Sequence, residues 1–284
     1  MISGAARERP TTGAPMAATY EAVVVPRYTR HFARLILEEL PAGVRGSVLD
    51  LGCGTGHPTF ELLPRLMDGA KLVAIDHDAG LLDLARRKSW GAVGQRVFFK
   101  VESAERLSFG DDVFDTVVAN LLLDDVEDSS AALREIHRVL AAGGRALLTR
   151  SLAGTFEEVL DVLDEIGLRL DLPRLNANVE RLRAQTPEAE ALVEAAHAAG
   201  FDTARVVTRE LRLSYGNAAE LFSDRLLAFL AMDDWRRAAS EGTERDADEL
   251  LREAERALNT YFGGRALSLR VHAGLLIAGR AQGG

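Results

Sequence analysis

The chain has 284 residues, 34 Lys and Arg against 43 Asp and Glu, and a formal net charge of −9. That balance argues against nucleic acid as the main partner, because phosphate binding draws on clustered Lys and Arg. A composition of 47% hydrophobic and 27% charged residues fits a globular protein with core enough for one α/β domain and a substantial addition. No apolar run approaches the roughly 18 residues of a membrane span, and the opening MISGAARERPTTGAPMAA has no segment of signal-peptide type. The single cysteine, Cys53, allows no intrachain disulfide and suits a reducing, cytoplasmic compartment.

Residues 1–19, with their Gly, Pro and Thr, read as a flexible tail. Residues 20–46 turn amphipathic, with Val24, Tyr28, Phe32, Leu35 and Leu40 at near-helical spacing. Pro26 is expected to break this stretch into two helices, and Pro41 with Gly43 to close it. Val48–Leu51 then reads as a buried strand running into a turn with glycine at Gly52, Gly54 and Gly56. Strand, glycine turn and helix form the nucleotide-binding start of an α/β sheet. The dinucleotide fingerprint fails, since its third glycine falls on His57. Asp50, two residues before the first glycine, repels a pyrophosphate and suits a cationic ligand.

VLDLGCGTG, Val48 to Gly56, resembles the first motif of class I S-adenosylmethionine (SAM)-dependent methyltransferases. The resemblance implies a Rossmann-like, doubly wound α/β sheet of seven strands, the last antiparallel, with helical cap insertions and SAM as cofactor. It covers Val48 to Thr149 firmly and the final strands loosely. In such a family Asp50, Gly52, Gly54 and Gly56 shape the cofactor turn, and an N-terminal tyrosine such as Tyr20 lies over it.

Lys71–Ile75 reads as the second strand, and Asp76 at its end is positioned to accept both ribose hydroxyls, with His77 following. Asp78 is the expected cap of helix Ala79–Lys88. Arg96–Val101 is the third strand. The segment after it resembles the family's adenine-holding motif, but with Ser103 where an aspartate is usual; Ala104 offers a backbone N–H instead. Val113–Ala119 is the fourth strand, and its end, Asn120 through Asp124 and Asp125, faces the transferred methyl group in such folds. Ser129 or Ser130 caps the next helix, which AAGG (141–144) terminates before a fifth strand, Arg145–Thr149. Arg150 beyond it is expected at the surface.

Further on, pattern alone gives a helix from Phe156 to Ile166, a polar one over Asn176–Gln185, and one opened by Thr186-Pro187. Thr203–Leu213 and Leu267–Ile277 alternate as strands, with His272 structural. Between them, residues 216–264 hold two helical patterns. The resulting domain reading is 1–19 tail, 20–46 cap helices, 47–150 SAM-binding core, 151–186 helical lid, 187–215 with 265–284 completing the sheet, and 216–264 a helical insertion.

The expected function is SAM-dependent methyl transfer to an O, N or C atom of a small, partly apolar acceptor of quinone or secondary-metabolite type. No nucleic acid partner and no metal are expected: the fifth strand ends Thr149-Arg150-Ser151, without the acidic pair of cation-dependent relatives. His57, Asp124 and Asp125 are the candidate bases. A SAM-fold enzyme of other chemistry, a non-catalytic partner subunit, and a homodimer built on the helical insertion stay open alternatives.

Overall fold

The computed structural model describes residues 14–40, 42–89, 96–263 and 265–282. Most of the predicted tail, and Pro41, lie outside the described residues.

Seven strands, β1 Ser47–Leu51, β2 Lys71–Asp76, β3 Val97–Val101, β4 Phe114–Asn120, β5 Leu140–Ser151, β6 Thr203–Tyr215 and β7 Leu267–Gly279, form one sheet in the order β3-β2-β1-β4-β5-β7-β6. β1 pairs in parallel with β2 and β4, β2 with β3, and β4 with β5. The inner strands are covered on both faces, so they read as continuous apolar runs rather than alternating ones: Val48, Leu49 and Leu51 of β1 and Val117, Val118 and Ala119 of β4 are all buried. β7 runs antiparallel. The Gly143 N–H at the start of β5 donates to Arg280 O, and the Leu152 N–H beyond its end donates to His272 O.

The chain forms two compact units. The first comprises residues 1–150, 189–208 and 273–284, and the second 151–188 and 209–272, so β6 and β7 contribute residues to both. In the first unit the glycine turn follows β1, and helix Ala79–Lys88 follows β2, capped as expected by the Asp78 carboxylate, which accepts from the Gly80 and Leu81 N–H groups. The second unit is helical apart from its strand segments. Phe156 and Phe222 both pack edge-on against Trp235 there, and Arg183 bridges Glu157, Asp161 and Glu180.

Four local expectations need correction. Pro26 does not end a helix: a π-helix, Tyr20–Thr29, carries the chain through it from helix Ala14–Thr19 into helix Arg30–Glu39. The wider π-helical bonding accommodates a residue with no N–H to donate. The AAGG segment belongs to β5, and residues just past the end of β7 supply its hydrogen-bond partners: Arg280 N–H donates to Gly144 O. Asp128, not a serine, caps helix Ser129–Val139, its carboxylate accepting from the Ala131 N–H. The 216–264 stretch holds four helices rather than two, Ala218–Phe222, Arg225–Leu230, Met232–Ser240 and Ala247–Tyr261. Asn217, Asp224 and Asp246 start three of them as side-chain caps.

Candidate functional site

The site lies in the first unit, at the carboxyl ends of β1, β2 and β4, the edge at which open α/β sheets hold ligands. Its centre is the turn after β1. Gly52 and Cys53 donate their N–H groups to Ile75 O, and the Gly54 N–H donates to Asp76 Oδ2 at 2.7 Å. The other oxygen of Asp76 accepts the Asp78 N–H at 2.9 Å. One carboxylate at the end of β2 therefore fixes both the glycine turn and the entry to the next helix. Burial pushes the Asp76 pKa up, against the two backbone N–H bonds that pull it down.

Two glycines serve different ends. Gly56 has φ +95°, and a Cβ there would fall 2.2 Å from the Phe60 ring, so packing forbids any side chain. Gly54 has φ +55°, and a Cβ there would meet nothing nearer than Tyr20 Cε1 at 3.8 Å. Its backbone is open to close approach by a ligand beneath the tyrosine.

Asp50 is completely buried. The Thr59 hydroxyl donates to its Oδ2 at 2.6 Å, while Oδ1 accepts no hydrogen bond from any described residue. Burial raises the Asp50 pKa to about 7, with the Thr59 hydrogen bond and the charge of His57 opposing the rise. Thr55 Oγ1 and His57 Nε2 are likewise buried and unbonded among the described residues. His57 Nδ1 donates to Glu61 Oε1 at 2.7 Å. For Glu61, burial raises the pKa, but the His57 hydrogen bond and charge, with the Lys88 charge, bring it below the ordinary glutamate value. Cys53 is buried and its thiol is pushed up by burial beside Asp50 and Asp76, which suits packing and not nucleophilic attack.

A hydrogen-bonded run ties the N-terminal helices to this edge. The Tyr20 hydroxyl lies 3.2 Å from Thr29 Oγ1, and Asn120 Nδ2 donates to Thr29 O at 3.1 Å. Asn120 Oδ1 accepts from Thr149 Oγ1 at 2.7 Å, so both ends of this amide are engaged within the protein. Lys88 Nζ donates to Glu21 Oε1 at 2.7 Å and to Thr55 O at 2.9 Å, and lies 5.3 Å from the Phe60 ring centroid.

The remaining candidates stand further out. His77 is exposed, with Nδ1 3.6 Å from Asp76 Oδ1. Ser103 is exposed, and its hydroxyl accepts the Glu105 N–H in a local turn; Ala104 is buried beside it. Asp124 forms an ion pair with Arg150 at 3.2 Å, both side chains almost covered (8% and 12% exposed), so Arg150 is not the surface arginine expected. The Asp125 N–H donates to Leu122 O. Thr59, Glu61, Lys88 and Glu21 were not singled out from sequence. Thr59 and Glu61 do carry a signal, three and five residues past Gly56 on the turn's own helix; Lys88 and Glu21 are 67 residues apart and carry none. Among the described residues no group of three His, Cys, Asp or Glu side chains is arranged to hold a metal ion.

The sheet order and the glycine turn at its carboxyl edge define the class as a Rossmann-like methyltransferase fold. Residues 49–148 match the methyltransferase domain family. The chain belongs to the class I SAM-dependent methyltransferases. It is 30% identical over 175 residues to the ubiquinone/menaquinone biosynthesis C-methyltransferase UbiE of Pectobacterium carotovorum, covering 57% of this chain and 69% of that one. It is 34% identical over 117 residues to the demethylmenaquinone methyltransferase of Lactiplantibacillus plantarum, covering 41% of this chain and about half (49%) of that relative. The fold is shared with phosphoethanolamine N-methyltransferase 2 of Haemonchus contortus, solved with S-adenosyl-L-methionine, at a TM-score of 0.57 and 16% identity over 95% of this chain and 58% of that one.

The residues present fit this family's cofactor. SAM carries an ammonium and a sulfonium, and Asp50 Oδ1 is a buried, unbonded acceptor atom of matching charge. Gly54 provides backbone that a ligand can approach without meeting a Cβ.

Proposed function

We propose that the protein transfers the methyl group of SAM to a carbon or oxygen of a small aromatic acceptor of the reduced-quinone (hydroquinone) type. The observation that carries the reading is the Asp76–Gly54 hydrogen bond, which shapes the turn beside the unbonded oxygen of Asp50. The names of the quinone-methylating relatives support the acceptor class.

In this reading Asp76 takes the ribose hydroxyls and Asp50 the ammonium group, with Gly52, Gly54 and Gly56 giving the turn its shape. Tyr20 lies over Gly54, and Asn120 with Thr149 and Thr29 holds the end of β4 in place. Ala104 lines the adenine side, with Ser103 and His77 at its rim. SAM supplies an electrophilic methyl group already activated by its sulfonium, so the chain mainly aligns the partners and excludes water. Alignment of two reactants accounts for roughly 7–11 kcal/mol of a barrier.

Calorimetric titration with SAM and S-adenosylhomocysteine, followed by radiolabelled methyl transfer to 1,4-naphthohydroquinone under anaerobic conditions, tests the reading. Binding of both ligands and labelled product are expected. Absence of SAM binding by the wild-type protein overturns it, and binding with label found only on N- or S-nucleophiles overturns the acceptor class.

A further inference from the structure

Methylation of a hydroquinone must dispose of one proton, and most acidic side chains at this sheet edge are already engaged. Asp76 accepts two backbone N–H groups, Asp124 is paired with Arg150, and Asp50 faces the cationic part of the cofactor in the function proposed above. His57 differs. Its side chain is only 7% exposed, its Nδ1 is committed to the Glu61 carboxylate, and its Nε2 is buried and bonded to no described residue.

The Glu61 hydrogen bond fixes which nitrogen carries the proton in the neutral ring. A carboxylate accepts only, so Nδ1 is the N–H and Nε2 presents a lone pair. A lone pair does not bind the cofactor's carboxylate, and the neighbouring Asp50 already offers that cofactor's ammonium an anionic partner. What Nε2 fits is a neutral O–H.

We infer that His57 is the general base of the reaction, its Nε2 taking the acceptor's hydroxyl proton while Glu61 acts as the positioning residue. The inference rests on the proposed methyl transfer. The hydroxyl proton moves to Nε2, and the phenolate electron pair drives a bond from oxygen, or from the ring carbon beside it, to the methyl carbon. The S–CH3 bond breaks, and its electron pair stays on sulfur as the neutral thioether. In the carbon case the ring C–H proton is then lost as the hydroxyl is regained, leaving one net proton on the imidazole, which passes it to solvent. The imidazolium formed lies against Glu61, which burial opposes but its His57 and Lys88 neighbours keep in the ionised form.

The charged groups that interact with this ring are Glu61 on its own segment and Asp50 at the end of β1; behind them, Asp76 at the end of β2 acts on Asp50, and Lys88, which pairs with Glu21, acts on Glu61.

The test compares wild type with His57→Gln and Glu61→Gln. SAM affinity by calorimetry is expected to stay within about threefold in both, while kcat with 1,4-naphthohydroquinone falls about 10²–10⁴-fold in His57→Gln. The acidic limb of the kcat–pH profile disappears in His57→Gln, and Glu61→Gln lowers kcat while the KM for the acceptor changes little. Nitrogen-15 NMR of the imidazole reads the same inference without turnover. Nε2 should remain an unprotonated, unbonded nitrogen when S-adenosylhomocysteine is added and shift when 1,4-naphthohydroquinone follows. Loss of SAM binding in His57→Gln, or an Nε2 shift on adding S-adenosylhomocysteine alone, overturns the base and makes His57 a cofactor contact. An unchanged kcat in His57→Gln overturns it outright. A wild-type protein that binds no SAM overturns the function itself, a result distinct from these.

Discussion

Lys88 Nζ lies 2.7 Å from Glu21 Oε1 and 2.9 Å from Thr55 O, joining the N-terminal π-helix to the glycine turn across 67 residues of sequence. Both side chains are about one-third exposed (31% each), so the ion pair itself stabilises the fold by no more than about 1 kcal/mol. Its larger effect is positional, because the π-helix also carries Tyr20 over Gly54. Lys88→Met is expected to lower the melting temperature by only a few degrees. Amide hydrogen exchange over residues 20–29 should rise clearly, and SAM affinity should fall several-fold. Unchanged exchange in that segment would show that packing alone seats the helix.

Asp76 has both a structural and a proposed binding task, and two substitutions separate them. Asp76→Ala leaves the N–H groups of Gly54 and Asp78 without their acceptor, a cost of about 1–3 kcal/mol for each buried donor. Asp76→Asn keeps one acceptor oxygen and so one of the two bonds. The alanine variant should melt well below the asparagine variant, and both should lose SAM binding by at least about tenfold. Calorimetry alongside thermal melts checks the pair.

Glycine positions 54 and 56 should respond in opposite ways to alanine. At Gly56 the new methyl group collides with the Phe60 ring at 2.2 Å, so Gly56→Ala is expected to destabilise the fold by about 3 kcal/mol or more. At Gly54 the backbone has φ +55°, which an alanine adopts at a cost of about 1–2 kcal/mol, and no atom lies within 3.8 Å of the new Cβ. Gly54→Ala should therefore fold and yet bind SAM poorly, since the methyl group occupies the side open to the ligand. Melting curves and SAM titrations on the two proteins settle the contrast.

These contrasts also show what was legible in the sequence. The turn and Asp76 were readable because their constraints are local: positive φ values and a close backbone approach demand glycine within a few residues of one strand. Strands β1–β5 were readable along the chain as apolar runs between such turns, while the doubly wound sheet came with the resemblance that VLDLGCGTG carries. Asp124–Arg150 and Lys88–Glu21 were not readable, since each pairing depends on how distant segments meet. The π-helix through Pro26 and the division of residues 216–264 into four helices escaped for other reasons. Proline signals a break by removing an N–H, and only the surrounding packing decides whether a wider helical turn absorbs that loss; in residues 216–264 the first three helices are parted by only one or two residues, too little to interrupt an apolar pattern.

The pH dependence of Asp50 has a definite sign. Burial raises its pKa from 3.8 to about 7, so the folded protein holds this proton more tightly than the unfolded chain. Its contribution to stability is fully present below pH 3.8 and is lost as pH rises through about 7. The ionised form thus destabilises the ligand-free fold at pH 8 by a few kcal/mol. Asp50→Asn, which keeps an acceptor for the Thr59 hydroxyl, should be more stable than wild type at pH 8 and close to it at pH 4. SAM affinity should move the other way in wild type, falling as pH drops below about 7, because the ammonium group binds the carboxylate. A SAM affinity in wild type that is flat from pH 5.5 to about 8.5 would place the ammonium elsewhere.

Asp124 provides the sharpest counter-test of where the base lies. It was a candidate base from its place after β4, but its carboxylate is only 8% exposed and 3.2 Å from Arg150 Nε. A carboxylate engaged by a guanidinium in a covered site is not presented to an acceptor hydroxyl. Replacing the carboxylate by a neutral amide removes the ionic part of this covered contact with Arg150, and splitting a buried pair costs up to about 3–5 kcal/mol. Asp124→Asn is therefore expected to lower the melting temperature markedly while leaving the acidic limb of the kcat–pH profile where it stands in wild type. A stable Asp124→Asn protein whose acidic limb is gone would transfer the role of base from His57 to Asp124.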